Sequence, residues 1–187
     1  MKAVLLEVPE GMLEERRRLG HDRFDEMWNG VLHMVPPPSF GHQHRGTSLV
    51  VLLHRLAREA GLIALYEAGL FRPGRNDDYR QPDNLLVRPE DSSARGVEGR
   101  AELVVEIRSP NDEAYEKLPF FAEMHVQEVL ILDGSTIDLR RLVNGAYVLV
   151  APDGDGWVHL GAVPLAMRPG PTEGAITART DAGDVEI

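Results

Sequence analysis

Residues 102–108, which read ELVVEIR, constrain the fold most, because they place a carboxylate within an apolar strand sequence. Side chains alternate between the two faces of a strand, so Glu106 and Arg108 share one face and the opposite face is apolar. An ionised carboxylate among Val, Leu and Ile is costly to bury, so Glu106 needs a cationic partner, solvent or a metal ion. The simplest structural interpretation is an ion pair with Arg108 at a strand end.

A second carboxylate belongs to the same arrangement. Asp83 follows Pro82, precedes the apolar run at residues 84–87 and lies 23 residues before Glu106. Both apolar runs have the length and composition of buried strands. We therefore expect Asp83 and Glu106 on neighbouring strands of one mixed sheet.

These residues resemble a known nuclease signature. Pro82-Asp83, followed by Glu106-Ile107-Arg108 on an apolar strand, resembles the motif of the PD-(D/E)XK nuclease superfamily, with Arg108 where a lysine usually stands. This departure bears directly on which cation would act.

The sequence beyond the motif is similar to the putative restriction endonuclease family that is widespread in bacteria. The similarity continues through Ser109-Pro110, Lys117 and Phe121 to the run VQEVLILD at residues 126–133. It also includes residues 25–30 (DEMWNG) and the three prolines before His42, and so covers roughly residues 20–150. In that family a lysine on the following helix is thought to replace the motif lysine, and Lys117 occupies that place.

The resemblance implies a metal-dependent endonuclease that hydrolyses phosphodiester bonds of nucleic acid, with DNA as the first expectation. Asp83 and Glu106 would hold Mg²⁺ or Mn²⁺, and the backbone carbonyl of Ile107 would be a third ligand. Mg²⁺ is a hard ion that prefers oxygen ligands and keeps several waters.

The same resemblance makes Lys117 the first choice for the catalytic cation and Arg108 the second. Arginine does not deprotonate at working pH, so Arg108 could stabilise charge but not act as a base. Glu26 matches a glutamate of the family's opening segment and would contribute to the site through water. A salt bridge within a hairpin is the alternative role for Glu26.

The expected fold class is α/β, a restriction-endonuclease-like mixed sheet flanked by helices with extra β-hairpins at the C-terminus. A length of 187 residues is enough for one domain with its own core, and we expect residues 1–187 to form one, with a C-terminal β extension and tail at 151–187.

The chain has no cysteine, which excludes disulfides and thiolate metal sites. No apolar leader opens it, and we expect a cytoplasmic protein without membrane contact.

The charge argues against non-specific coating of nucleic acid, which depends on Lys and Arg neutralising phosphates. The formal net charge is −10 and the isoelectric point is near 5.1. Charge is unevenly spread, since residues 151–187 carry six acids and two arginines while residues 41–60 carry three arginines and one glutamate. The sequence is therefore compatible with a local cationic face.

Two other functions stay open at this stage. A nuclease-fold module that binds or regulates without cutting agrees with the acidity and with Arg108 in the lysine position. A sugar hydrolase that uses the two carboxylates is a weaker alternative, because nothing else in the chain indicates a sugar platform. A homodimer is left open as the assembly.

Local signals predict the remaining elements. Asn-Gly pairs at 29–30 and 144–145 predict two hairpins, and apolar spacing predicts a long helix over residues 42–60. His42 and His44 diverge on such a helix, which argues against a shared metal. Ser109 and Pro110 predict the start of a helix that Pro119 either kinks or divides into two short helices. Residues 91–99 read as a polar loop, 163–167 as a strand, 153–156 as a turn, and 169–187 as a trailing segment or an edge strand.

Overall fold

The computed structural model describes residues 3–9, 11–110 and 112–187 and has a mixed α/β architecture. In chain order its elements are β1 (Ala3–Leu5), α1 (Met12–Leu19), β2 (Glu26–Trp28), β3 (Val31–Met34), α2 (Phe40–Glu59), β4 (Ile63–Tyr66), β5 (Leu70–Phe71), β6 (Tyr79–Arg80), β7 (Asn84–Val87), β8 (Val97–Glu98), β9 (Leu103–Ile107), α3 (Leu118–Glu123), β10 (Glu128–Asp133), β11 (Thr136–Val143), β12 (Ala146–Leu149), β13 (Val158–His159), β14 (Ala166–Pro169), β15 (Ile176–Thr180) and β16 (Gly183–Glu186).

The central sheet has the spatial order β12-β11-β10-β9-β7-β4. Strands β9 and β10 are parallel, and the connection between them contains α3, as a parallel pair requires a crossover. The other neighbours in this sheet are antiparallel. The expected mixed sheet flanked by helices is confirmed.

Both faces of the central sheet are covered, which explains the nearly continuous apolar sequence of β9. Helix α2 packs its buried leucines on one face together with Val105 and Ile107. Phe120 and Phe121 of α3 pack on the other face with Val104. Each large apolar side chain buried in this way contributes about 1.5 to 3 kcal/mol.

The register of β7 and β9 brings the two predicted carboxylates together. Asn84 lies opposite Val105 in an antiparallel ladder. Asp83 comes one residue before Asn84 and Glu106 one residue after Val105, so the two acids lie at the same end of this strand pair and on the same face. The prediction of neighbouring strands is confirmed.

Most of the hairpins and helices that the local sequence predicts are present in the structure. Asn29 and Asn144 have φ values of 52° and 51°, the left-handed conformation that a type I′ turn needs. Helix α2 begins two residues earlier than predicted, since Ser39 caps it by accepting from the His42 amide at 3.3 Å. None of the described helices combines the length and apolar content needed to span a bilayer.

The prediction of a helix from Ser109 is wrong. The carboxylate of Asp112 accepts from the Ser109 amide at 2.6 Å, as a cap would, but residues 112–113 are not helical and 114–117 form turns. Helix α3 begins only at Leu118, and Pro119 lies in its first turn. Proline fits that position because its missing N–H would have no intrahelical partner there, so Pro119 starts a helix and does not kink one.

Three other expectations need correction. Residues 91–99 contain β8, which pairs in parallel with β5. Residues 163–167 are mostly irregular, since β14 begins at Ala166. The tail at 169–187 is part of a sheet with order β13-β14-β15-β16, and Ile176 and Ala178 are fully buried against the α2 face of the core. The apolar residues of this tail are few but alternate, which suffices for a strand with one buried face.

Candidate active site

Asp83 and Glu106 meet at the end of the β7–β9 pair. The backbone amide of Ile107 donates to Asp83 Oδ2 at 2.6 Å, which fixes one oxygen of this carboxylate beside Glu106. Both side chains are largely buried, with 15% of Asp83 and 8% of Glu106 exposed. The predicted proximity of the two acids is thus explained by strand register and one short hydrogen bond.

Lys117 reaches this pair from the connection between β9 and α3. Its ammonium donates to both oxygens of Glu106 at 3.1 Å and lies 2.9 Å from Glu26 Oε1. The side chain is 12% exposed. The turns at residues 114–117 carry Lys117 over the sheet.

Glu26 completes the cluster from the first hairpin. Its Oε1 accepts from the Gln81 amide at 2.9 Å, and its Oε2 accepts from Trp28 Nε1 at 2.7 Å. Direct ion pairing with Lys117 occurs where a contribution through water was expected. Glu26 Oε1 is therefore shared between the Lys117 ammonium and the Gln81 amide, while Oε2 is held by Trp28.

Aromatic packing keeps Trp28 in place under Glu26. The indole stacks on His33 with ring centroids 4.1 Å apart, and the buried guanidinium of Arg80 lies 4.3 Å from the Trp28 ring centre. His33 Nδ1 in turn lies 2.7 Å from Glu113 Oε2. This layer makes the Trp28 donor rigid, so Glu26 is held in one orientation.

Burial and the neighbouring charges shift the pKa values of both Glu106 and Lys117. Burial raises the pKa of Glu106 to about 8; Lys117 opposes the rise, and the carboxylates of Asp83 and Glu26 add to it. Burial alone would lower the pKa of Lys117, but Glu106 and Glu26 outweigh it and the pKa rises above the ordinary lysine value. Lys117 is therefore an ammonium at neutral pH, able to donate and to stabilise charge but not to accept a proton.

Glu26 differs from Glu106 although both are buried. Burial would raise the pKa of Glu26, but Lys117 and the N–H groups of Gln81 and Trp28 outweigh this effect and the pKa is lowered. Glu26 is thus the ionised partner of Lys117 at neutral pH. Glu106 is also paired with Lys117, but burial outweighs this pairing and its pKa is raised.

Arg108 points away from this cluster. Its guanidinium donates to Asp133 at 2.7 Å and to Asp112 at 3.3 Å, both outside the group of Glu26, Asp83 and Glu106. The ion pair between Glu106 and Arg108 that the strand pattern suggested is not formed within the described residues, because Arg108 follows the end of β9 and turns toward β10.

His42 is the site residue that the sequence reasoning missed. The residue lies in the first turn of α2 with its side chain 13% exposed, and its Nε2 lies 3.4 Å from Asp83 Oδ1. The imidazole also interacts with the carbonyl oxygen of Ile107. Burial lowers the pKa of His42, but Asp83 and this carbonyl outweigh it and the net shift is upward. The proline run and the Ser39 cap just before it were the available signals.

A cleft of about 430 Å³ opens onto these side chains. Its wall includes Glu26, His42, Asp83, Glu106 and Lys117, and prolines 36–38 form part of its rim. The cleft is therefore large enough for a nucleotide-sized group with water, and its polar end is the carboxylate cluster.

The donor set fits a divalent cation of the Mg²⁺ type. Asp83, Glu106 and the Ile107 carbonyl supply hard oxygen atoms, and burial, with a smaller effect from the neighbouring carboxylates, raises the pKa of Glu106, so that a cation beside it would be favourable. Within residues 3–9, 11–110 and 112–187, no three His, Asp or Glu side chains converge as a complete metal cage. Mg²⁺ binds proteins through as few as one or two carboxylates and keeps its remaining waters.

Comparison with solved structures identifies the fold class. The chain is similar to a crystal structure described as a putative nuclease belonging to DUF820 from Anabaena variabilis ATCC 29413. The TM-score is 0.56 at 15% sequence identity, over 70% of this chain and 78% of the other. At this identity the likeness establishes the fold, which is the α/β, restriction-endonuclease-like one.

The family follows from a second comparison. The model of the Uma2 family, described as "Putative restriction endonuclease", matches residues 13–168. This match covers most of the 187 residues, and the chain belongs to the Uma2 family. The predicted resemblance over residues 20–150 is confirmed and extends further at both ends. A comparison with curated proteins gave no match.

Proposed function

We propose that the protein is a metal-dependent endonuclease that hydrolyses phosphodiester bonds, with DNA as its substrate. The observation that carries the proposal is the ammonium of Lys117, which is held between Glu106 and Glu26 beside Asp83 at the end of a cleft. This arrangement supplies the lysine that the strand motif lacks. Membership of a family described as "Putative restriction endonuclease" supports the same function.

Asp83, Glu106 and the Ile107 carbonyl would hold Mg²⁺ or Mn²⁺. The bound ion supplies Lewis acidity and lowers the pKa of a water molecule. The acidic residues of the cleft also explain why the ion is needed, since a phosphate diester would otherwise meet mostly negative charge.

Lys117 stabilises the charge that develops during hydrolysis. A bond forms between phosphorus and the water oxygen while the bond to the leaving sugar oxygen breaks, and negative charge builds on the phosphoryl oxygens. A preorganised ammonium at that point lowers the barrier because it needs no reorientation. Glu26, fixed by Trp28 and Gln81, keeps the ammonium in place.

A nuclease-fold module that binds without cutting is the alternative. Arg108 in the motif position and the net charge of −10 favour it. The pairing of Arg108 with Asp133, away from Glu106, argues against it, because Arg108 does not fill the space between Asp83 and Glu106.

A cleavage assay tests the proposal. Supercoiled DNA, single-stranded DNA and RNA are incubated with the protein in Mg²⁺, Mn²⁺ or EDTA. We expect metal-dependent cleavage of DNA that falls by at least about a hundredfold in Asp83→Ala. The matched control is Asp155→Ala in the exposed turn at residues 153–156, which should cut like the wild type.

Three results would contradict this function. Cleavage that continues in EDTA would show that the reaction does not depend on a metal ion. Metal-dependent cleavage that survives in Asp83→Ala would place the activity elsewhere, and complete absence of cleavage on all three substrates would favour the binding module.

A further inference from the structure

We propose that His42 is a positioning residue of this site, which holds the Asp83 carboxylate and the Ile107 carbonyl in the orientation that a divalent cation needs. The proposal rests on the proposed metal-dependent function and adds a residue to it. His42 comes from α2, whereas Lys117 lies in the connection that leads to α3, and these two helices pack on opposite faces of the central sheet.

The backbone around His42 is held in place by the residues on both sides of it. Prolines 36–38 limit the conformations of the segment that enters α2. The Ser39 hydroxyl accepts from the His42 amide at 3.3 Å, and α2 is anchored by fully buried leucines at 49, 53 and 56. The imidazole therefore leaves a rigid helix start, which suits a residue that must hold another one in place.

The contacts of Asp83 show what His42 adds. The Ile107 amide donates to Oδ2 at 2.6 Å, and His42 Nε2 lies 3.4 Å from Oδ1. The second separation exceeds the usual N–H···O range of about 2.7 to 3.2 Å, and such contacts often shorten when a site is loaded. The Ile107 amide on one oxygen and the His42 imidazole beside the other restrict the rotation of the carboxylate plane, which is otherwise broad. Each oxygen keeps a further lone pair for a cation.

The hydrogen-bonding chemistry of the ring agrees with this role. An ionised carboxylate and a carbonyl can only accept, so the hydrogen must be on Nε2. Nδ1 is buried and has no hydrogen-bond partner in the described part of the chain. Asp83 and Ile107 are thus the groups that orient the ring. Outer partners of this kind usually contribute about 10- to 100-fold to metal affinity.

Calorimetric titration with Mn²⁺ tests the assignment. We expect His42→Ala to weaken Mn²⁺ binding about tenfold and His42→Gln, which keeps an N–H donor, to stay within about threefold of the wild type. His44→Ala is the matched control, because His44 lies two residues further along α2 and its ring stacks on Phe40. Unchanged Mn²⁺ affinity in His42→Ala would overturn the proposal.

Amide hydrogen exchange in EDTA separates this proposal from the proposed function. If His42 holds Asp83, His42→Ala should speed exchange at the Ile107 amide and leave the Leu130 amide, deep in β10, unchanged. Equal acceleration at both amides would indicate a general loss of stability and would contradict a positioning role. Absence of any Asp83-dependent Mn²⁺ binding in the wild type would overturn the metal function, while the exchange result would still decide whether His42 orients Asp83.

Discussion

At the scale of single residues, the site is defined by an imbalance between buried carboxylates and one ammonium. Lys117 pairs with both Glu26 and Glu106, but only Glu26 also receives two N–H donors. The two glutamates are therefore not equivalent. Glu26 serves as the fixed anion that holds Lys117, and Glu106 is left with the greater need for a cation.

The state of Glu106 leads to a prediction about stability. Its pKa in the folded protein is about 8, against an ordinary value of 4.5, so its ionisation in the metal-free fold is unfavourable. A raised acid pKa means that stability present at low pH is lost as pH rises from about 4.5 through about 8. Glu106→Gln should then melt at a higher temperature than the wild type in EDTA at pH 8, by roughly 2 to 4 °C for each kcal/mol relieved.

Thermal unfolding at pH 5 and pH 8 in EDTA provides the measurement. The difference between Glu106→Gln and the wild type should shrink at pH 5, where the wild-type carboxyl is protonated in the fold. A variant that melts lower than the wild type at pH 8 would show that the pairing of Glu106 with Lys117 outweighs the cost of burial.

At the scale of elements, sequence patterns predicted the strands and hairpins better than the segment that carries Lys117. Val, Ile and Leu alternation and Asn-Gly turns depend on local chemistry, and β7, β9, β10 and both hairpins follow them. The segment after Ser109 has a good capping signal, yet it does not become helical until Leu118. The ion pairs of Lys117 with Glu26 and Glu106 join distant parts of the chain, and such tertiary contacts are invisible to local propensity.

The C-terminal strands were also underestimated, and their burial predicts a measurable effect. Ile176 is fully buried in β15 against the core beneath α2, whereas Val185 in β16 is 45% exposed. Ile176→Ala should lower the free energy of unfolding by roughly 2 to 5 kcal/mol because it leaves a cavity. Val185→Ala, the control, should change it by less than about 0.5 kcal/mol.

Chemical denaturation checks this pair of variants. If the two variants have equal stability, residues 169–187 do not contribute to the core, and the trailing segment, one of the two alternatives expected from the sequence, would be restored.

At the scale of the whole molecule, sequence reasoning reached the α/β fold class and grouped Asp83, Glu106, Lys117 and Glu26. It missed His42, because a lone histidine at a helix start carries no signal of its own until β7 and α2 are seen together. It gave Arg108 a place beside Glu106 from strand alternation, but alternation ends with the strand, and Arg108 lies beyond Ile107. The predictions that failed concern residues at the ends of helices and strands, where tertiary contacts determine the direction of the side chain.

The central claim is that Lys117 replaces the motif lysine in a metal-dependent nuclease. The most direct test is the rate of Mg²⁺-dependent DNA cleavage by Lys117→Ala, with Arg108→Ala as the matched control, each normalised to folded protein. We expect Lys117→Ala to lose about a hundredfold or more in turnover, because a preorganised charge is removed, and Arg108→Ala to lose much less, mainly through weaker substrate binding. Full cleavage by Lys117→Ala together with a large loss in Arg108→Ala would contradict the claim.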